Sequence, residues 1–141
     1  MPSRRLWLRA AVMLVAADVL LRARDTTTAL RRLARPGRSG RGLDPSLALA
    51  AVQRAGRVTR AQCLTQSVAL AALLVRSGQD AEVVLGCHRY AAGQWGAHAW
   101  VDCAGEKLEP VPAGPHDELA RCAAREQWVP AAVPPSATGR C

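Results

Sequence analysis

The first part of the chain has the spacing of amphipathic helices, with apolar residues recurring every three to four positions. This spacing predicts a long helix over residues 6–24. Asp25 follows it as a residue that can cap a second, short basic helix over residues 27–35. Residues 36–42 contain glycine, proline, serine and arginine and predict a loop.

Two further helices are predicted before the pattern changes. Asp44 and Pro45 are typical of an N-cap and a first helical residue, and they introduce a helix over residues 46–56 that ends at its glycine. Residues 62–77 are rich in alanine and leucine and predict a helix that has apolar residues on almost every side. Gly78 is expected to end this helix. Such a helix is buried, so we expect it at the centre of the fold.

Short strands follow the helices. Residues 81–87 are rich in valine, and residues 97–103 alternate, which predicts two strands. A two-residue turn at Ala104-Gly105 leads into a third strand over residues 106–111. Three prolines are expected to end the sheet: Pro110, Pro112 and Pro115.

These elements predict an α+β protein with one buried helix packed on a small antiparallel sheet. Residues 117–125 are predicted as a short helix. We expect one domain, made of a basic helical region (residues 1–60), a core that carries the chemistry (61–128) and a loose C-terminal tail (129–141).

The net charge of +8 is unevenly distributed. Residues 1–60 hold 13 arginines and three aspartates, whereas residues 61–141 have a net charge of -2. The chain has no phenylalanine and one tyrosine, which leaves little for stacking on bases, so nucleic acid is not an expected partner. A non-catalytic basic binding protein remains an alternative.

The N-terminus has some features of a signal peptide, since two arginines precede an apolar run over residues 6–21. Arg9 and Asp18 interrupt this run, and its continuous apolar part, residues 10–17, is too short to span a bilayer. We therefore expect a buried amphipathic helix, with export or membrane contact as the lesser alternative.

Five cysteines occur without a CxxC pair, which predicts reduced thiols and a cytoplasmic protein. A zinc site is conceivable from Cys87, His88, His98 and Cys103, but their spacing fits no common zinc pattern. No metal ion or cofactor is therefore expected.

Cys63 lies at the start of the buried helix, where unpaired N–H groups favour a thiolate. His98 lies early in the second strand, on the face it shares with Trp100 and Asp102, and it is the candidate base. The non-catalytic alternatives are that Cys63 is a small buried thiol and that His98 is a hydrogen-bonded core histidine.

A third group should orient His98. Asp102 is four residues along the same strand, about 13 Å away, and so is out of reach. With the two-residue turn, Val101 pairs with Leu108, Trp100 with Glu109 and His98 with Val111. Glu109 then lies diagonally across from His98, at roughly 7–8 Å between Cα atoms. The predicted triad is Cys63, His98 and Glu109.

The pattern resembles a known family through Cys63-Leu64-Thr65-Gln66-Ser67-Val68-Ala69-Leu70 and Ala97-His98-Ala99-Trp100-Val101. Over residues 63–109 the chain is similar to the lasso-peptide leader peptidases, the transglutaminase-like cysteine proteases of ribosomal peptide biosynthesis. The resemblance implies a papain/transglutaminase-like core, with Cys63 as nucleophile and His98 as base. The family usually has aspartate near the position of Glu109.

The resemblance also implies a stand-alone leader peptidase. Its substrate would be the leader of a precursor peptide, presented with a separate leader-recognition protein. An ATP-dependent, asparagine-synthetase-like enzyme would then close the macrolactam. A different transglutaminase-like acyl transferase is the enzymatic alternative.

Overall fold

Four helices and a five-stranded antiparallel sheet form the structure, a computed structural model that describes residues 1–35, 42–113 and 116–124 and the backbone of 129–130. The helices are α1 (Arg4–Ala23), α2 (Thr26–Leu33), α3 (Pro45–Thr59) and α4 (Cys63–Arg76). The strands are β1 (Ala81–Arg89), β2 (Trp95–Cys103), β3 (Glu106–Leu108), β4 (Asp117–Ala123) and β5 (Val129–Pro130). The predicted α+β class is confirmed. The predicted loop before α3 lies outside the described residues, apart from Gly42.

Aspartates cap two of the predicted helices. The side chain of Asp25 accepts a hydrogen bond from the N–H of Thr28 at 2.8 Å at the start of α2. Asp44 accepts one from Ser46 at 2.8 Å, with Pro45 as the first residue of α3. Each cap satisfies an N–H group that the first helical turn leaves unpaired, so the local sequence fixes both helix starts.

The predicted end of α3 at Gly56 is wrong, because the helix continues to Thr59 and ends at Arg60, which has a left-handed φ of 54°. Gly56 serves packing instead. A methyl group added there would lie 2.5 Å from Cδ of Gln66, so the missing side chain lets α3 approach α4 closely.

The helix α4 is the centre of the core, as its apolar sequence predicted. Val68, Leu70 and Leu74 are fully buried, and α1, α2, α3 and the sheet all pack against this helix. The inner face of α1 joins the same core through Leu6, Ala10, Leu14 and Ala17. No described helix is both long enough and apolar enough to cross a membrane.

The sheet has the strand order β3-β2-β1-β4-β5 and is antiparallel throughout. Ala104 and Gly105 form the predicted two-residue turn, with φ of 53° and 87°. The predicted pairing of Val101 with Leu108 is confirmed. Val101 faces the helical core, so alternation puts His98 on the opposite face of β2.

The third strand is shorter than predicted. It ends at Leu108, because Pro110 has no N–H with which to continue the ladder. Two predicted strand pairs are therefore absent: Trp100 with Glu109 and His98 with Val111.

The helix predicted over residues 117–125 is wrong, because residues 117–123 form β4, which pairs with β1. Tertiary contacts override the helical propensity of this segment: Cys122 is buried opposite Val83, and Arg121 Nη1 lies 2.9 Å from a carboxylate oxygen of Glu82. The prediction that the prolines end the sheet is wrong for the same reason.

The predicted loose tail begins with a strand, since Val129 pairs with Arg121 and Pro130 with Ala120 in β5. Residues 131–141 lie outside the described residues.

Candidate active site

Cys63 is the first residue of α4, and its free thiol is half-buried. Gln62 precedes it as the N-cap residue, and the Gln62 side chain makes no capping hydrogen bond. Among the described residues, no backbone carbonyl accepts the N–H of Cys63. An unpaired N–H group therefore lies directly beside the thiol, as expected at a helix N-terminus.

His98 on β2 is almost fully buried, with 4% of its surface exposed. Its ring stacks on that of Trp100, with 6.2 Å between centroids, and the ring of His116 lies 4.9 Å away on centroids. Its Nε2 atom is buried without a hydrogen-bond partner. A buried polar atom without a partner is unfavourable for stability, so this nitrogen is a candidate for a functional role.

Glu109 reaches His98 without being part of the sheet. Its Oε1 atom lies 3.9 Å from Nε2 of His98. The side chain of Gln53 on α3 donates a hydrogen bond of 3.2 Å to the carbonyl oxygen of Glu109, which fixes the backbone there. Lys107 also lies close, with Nζ 2.6 Å from the same Oε1.

The structure brings His98 and Glu109 together, whereas no hydrogen bond among the described residues joins the thiol of Cys63 to either of them. α4 packs against β2, and His98 lies on the face of β2 opposite to Val101. A catalytic pairing of Cys63 with His98 therefore stays a prediction. Nε2 is the imidazole nitrogen that faces Glu109.

The electrostatic surroundings favour an uncharged imidazole. Burial is the main factor that lowers the pKa of His98, and the neighbouring His116 lowers it further. Glu109 raises the pKa of His98 and Lys107 lowers it, both to a smaller extent. The net direction is downward, so near neutral pH the imidazole is free to accept a proton.

Sequence reasoning missed three neighbours of the predicted pair. Lys107 could have been found, because it stands two residues before Glu109 at the same end of the hairpin. Gln53 and His116 come from α3 and from the segment before β4, so no local pattern pointed to them. In the described ranges, no three His, Cys, Asp or Glu side chains converge as metal ligands.

The comparison with known families agrees with this architecture. The family model described as the transglutaminase-like superfamily matches residues 7–123, from α1 to the end of β4. No curated protein and no solved structure matches the chain. The matched range contains Cys63, His98 and Glu109. Because the match covers most of the sequence, the chain belongs to the transglutaminase-like superfamily.

Proposed function

We propose that the protein is a cysteine peptidase that removes the leader from a lasso-peptide precursor. Members of the superfamily are typically cysteine proteases or acyltransferases. The observation that carries the proposal is the buried His98, with Nε2 unpartnered and Glu109 3.9 Å away. Cys63 would be the nucleophile, His98 the base and Glu109 the group that orients the imidazole.

In the first half of the reaction, His98 takes the proton of the Cys63 thiol, and the sulfur attacks the scissile carbonyl carbon. A tetrahedral oxyanion forms, and it collapses as the carbon–nitrogen bond breaks. The imidazolium gives its proton to the departing amine. The products of this half are the free amine of the core peptide and a thioester between the leader and Cys63.

In the second half, a water molecule takes the place of the amine. His98 accepts a proton from the water as its oxygen attacks the thioester carbon. The carbon–sulfur bond breaks, the proton returns to the sulfur, and the leader leaves as a carboxylic acid. The same thioester attacked by an amine would give the acyltransferase reaction instead.

The oxyanion needs hydrogen-bond donors in both halves. The N–H of Cys63 is the first candidate, because it has no backbone acceptor in the described residues and lies at the N-terminus of α4. Gln62 is a candidate for the second donor, since its side chain is not used as a helix cap.

The choice of substrate rests on the motif resemblance over residues 63–109. We propose a leader-recognition protein and an ATP-dependent, asparagine-synthetase-like macrolactam synthetase as partners. The freed amine of the core peptide is the group that such a synthetase would consume. We further propose that the protein acts in the cytoplasm, where the free thiol of Cys63 stays reduced. The prediction of reduced thiols is wrong for Cys87, which is disulfide-bonded.

The test uses the purified protein, a lasso-peptide precursor and its leader-recognition protein, followed by mass spectrometry in H₂¹⁸O. We expect a free core peptide and a leader carrying one ¹⁸O. Cys63→Ala and His98→Ala should each reduce the rate by about 1,000-fold or more. His88→Ala is the matched control and should retain the rate. Cleavage that survives Cys63→Ala would contradict the proposal, and transfer to an added amine without ¹⁸O uptake would favour the acyltransferase.

A further inference from the structure

The helix α1 has a second apolar face that the fold leaves uncovered. Its inner face packs in the core, while four apolar side chains point away from it into solvent. The exposed fractions are 58% for Leu8, 62% for Val12, 58% for Val15 and 58% for Val19. We call these four residues the outer seam. Exposed apolar residues aligned in this way are typical of an interaction surface.

The spacing of the outer seam suits a second helix. Its members follow one another at intervals of four, three and four residues, which is the a/d spacing of coiled coils. From Leu8 to Val19 the seam is about 16 Å long at the helical rise. The seam contains no aromatic residue, whereas helices that lie in a membrane interface commonly use tryptophan and phenylalanine.

A basic groove lies at one end of the outer seam, between the start of α1 and the C-terminal half of α3. Its volume is about 670 Å³, and it is lined by Pro2, Arg4, Arg5, Trp7, Leu8, Arg54 and Val58. Leu8 belongs to both groove and seam, so the two surfaces are continuous. The indole Nε1 of Trp7 is buried without a hydrogen-bond partner.

The arginines of the basic groove have no internal counter-charge. Within the described residues, none of the three forms an ion pair. The acids of the N-terminal region are engaged elsewhere: Asp18 pairs with Arg22 at 2.9 Å, and Asp25 and Asp44 cap helices. The N-terminus of α1 adds the positive end of its helix dipole.

We propose that the outer seam and the basic groove together dock an amphipathic helix of another protein. That helix has an apolar stripe and carries Glu or Asp at its C-terminal end. It lies antiparallel to α1, so that its acidic end and its negative dipole meet Arg4, Arg5 and Arg54. The apolar stripe supplies buried area, and the acidic end supplies orientation and rate of association.

A second copy of the chain fits this surface poorly. The next positions of the outer seam are Arg5 in one direction and Arg22 in the other. Parallel pairing of two α1 helices would bring Arg5 against its own copy, and antiparallel pairing would bring it towards Arg22. Both arrangements add like charges at the interface. The proposal does not depend on the chemistry of Cys63.

The test uses the full chain and a fluorescein-labelled helical peptide of about 18 residues, about five turns. The peptide has leucine at its a and d positions and glutamates in its last two turns. A matched peptide has glutamine in place of the glutamates. Fluorescence anisotropy at low salt should give a Kd at least about 10-fold lower for the glutamate peptide, and salt should reduce the difference.

Variants separate the two parts of the surface. Val12→Asp and Val15→Asp should each weaken binding of the glutamate peptide by about 10-fold or more. The double variant Arg5→Gln/Arg54→Gln should bind the glutamate peptide no more tightly than it binds the glutamine peptide. The matched control removes two exposed arginines elsewhere: Arg24→Gln with Arg89→Gln should leave the Kd unchanged. Circular dichroism checks that each variant keeps its fold.

Several results would overturn the proposal. Equal affinity for the two peptides, or no binding of either peptide, would rule out an acidic helix as the partner. A dimer in sedimentation velocity that Val12→Asp dissociates would make a second copy the occupant. Binding to phosphatidylcholine/phosphatidylglycerol vesicles that Val12→Asp abolishes, without peptide binding, would make the occupant a lipid surface.

Discussion

Oε1 of Glu109 lies 3.9 Å from Nε2 of His98 and 2.6 Å from Nζ of Lys107. The lysine is closer, so the carboxylate is shared between a cation that neutralises it and an imidazole that it could orient. The ammonium of Lys107 also lies over the ring of Trp100, 4.6 Å from the centroid, which holds it in place. Two oppositely charged neighbours therefore act on the pKa of His98, in addition to the larger effects of burial and of His116.

We expect substitutions at these neighbours to move the pKa of His98 in opposite directions. Lys107→Gln removes a positive charge and leaves Glu109 free to approach, so the pKa of His98 should rise. Glu109→Gln removes the negative charge, so the pKa should fall. An NMR titration of the imidazole protons measures both.

Two variants of Glu109 test its role in catalysis. Glu109→Gln should lower kcat by about 10-fold or more, since it removes the negative charge that we propose orients the imidazole of His98. Glu109→Asp should retain more activity than Glu109→Gln. Unchanged kcat together with an unchanged pH profile in Glu109→Gln would assign the orienting role to another group.

Stability should decrease as the solution becomes acidic, because His98 is buried in its neutral form. Its pKa in the folded protein is below the ordinary value of 6.5, so the unfolded chain binds the proton first as pH falls. The loss should begin near the unfolded pKa and be complete below the folded one. Urea unfolding from about pH 7.5 to about pH 5 should show the free energy of unfolding decreasing relative to that of His98→Gln. A difference between the two proteins that does not vary with pH would contradict the burial of a neutral imidazole.

Gly86 should be intolerant of a side chain. It pairs with His98 across β1 and β2, and a methyl group there would lie 2.5 Å from Cζ3 of Trp100 and 2.8 Å from the carbonyl oxygen of Asp117. The backbone oxygen cannot move aside easily, so Gly86→Ala should destabilise the protein by about 1–3 kcal/mol. Thermal unfolding measures this effect. Gly42→Ala is the control, because nothing lies within 4 Å of the added methyl group; equal unfolding temperatures for the two variants would refute the close packing.

Gln53 should position Glu109 from a distance. Gln53→Leu removes the 3.2 Å hydrogen bond to the carbonyl oxygen of Glu109 and should cost about 1 kcal/mol of stability. We also expect kcat to fall several-fold and the pKa of His98 to fall, since the carboxylate is no longer held nearby. A loss of stability with the pKa of His98 unchanged would limit Gln53 to a structural role. Gln79→Leu, which removes a glutamine that contacts Leu43 and Ser77 instead, is the matched control for the pKa.

Strong local signals in the sequence predicted the elements that they specify. Asp44 and Pro45 fixed the start of α3, the turn at Ala104 and Gly105 fixed the hairpin register, and the all-round apolar sequence of α4 predicted its burial. In each case the information lies within a few residues, because capping, turn formation and hydrophobic periodicity are short-range effects.

Where two local preferences compete, the tertiary structure decided. Residues 117–123 have helix-forming residues but became β4, because the outer edge of β1 offers hydrogen bonds and a buried position for Cys122. Gly56 looked like a helix end, yet its role depends on the approach of Gln66 from another helix.

For the candidate active site, too, local sequence determined some features and tertiary contacts decided others. The sequence by itself determined that a cysteine begins the buried helix and that a histidine lies on the adjacent strand, since both follow from hydrophobic pattern. Only the tertiary structure decided how Glu109 meets His98. Proline ended the strand that was expected to carry Glu109, and the hydrogen bond from Gln53, 56 positions away in the chain, holds the segment instead. Local sequence specifies elements, but the contacts between elements depend on distant residues that no short pattern records.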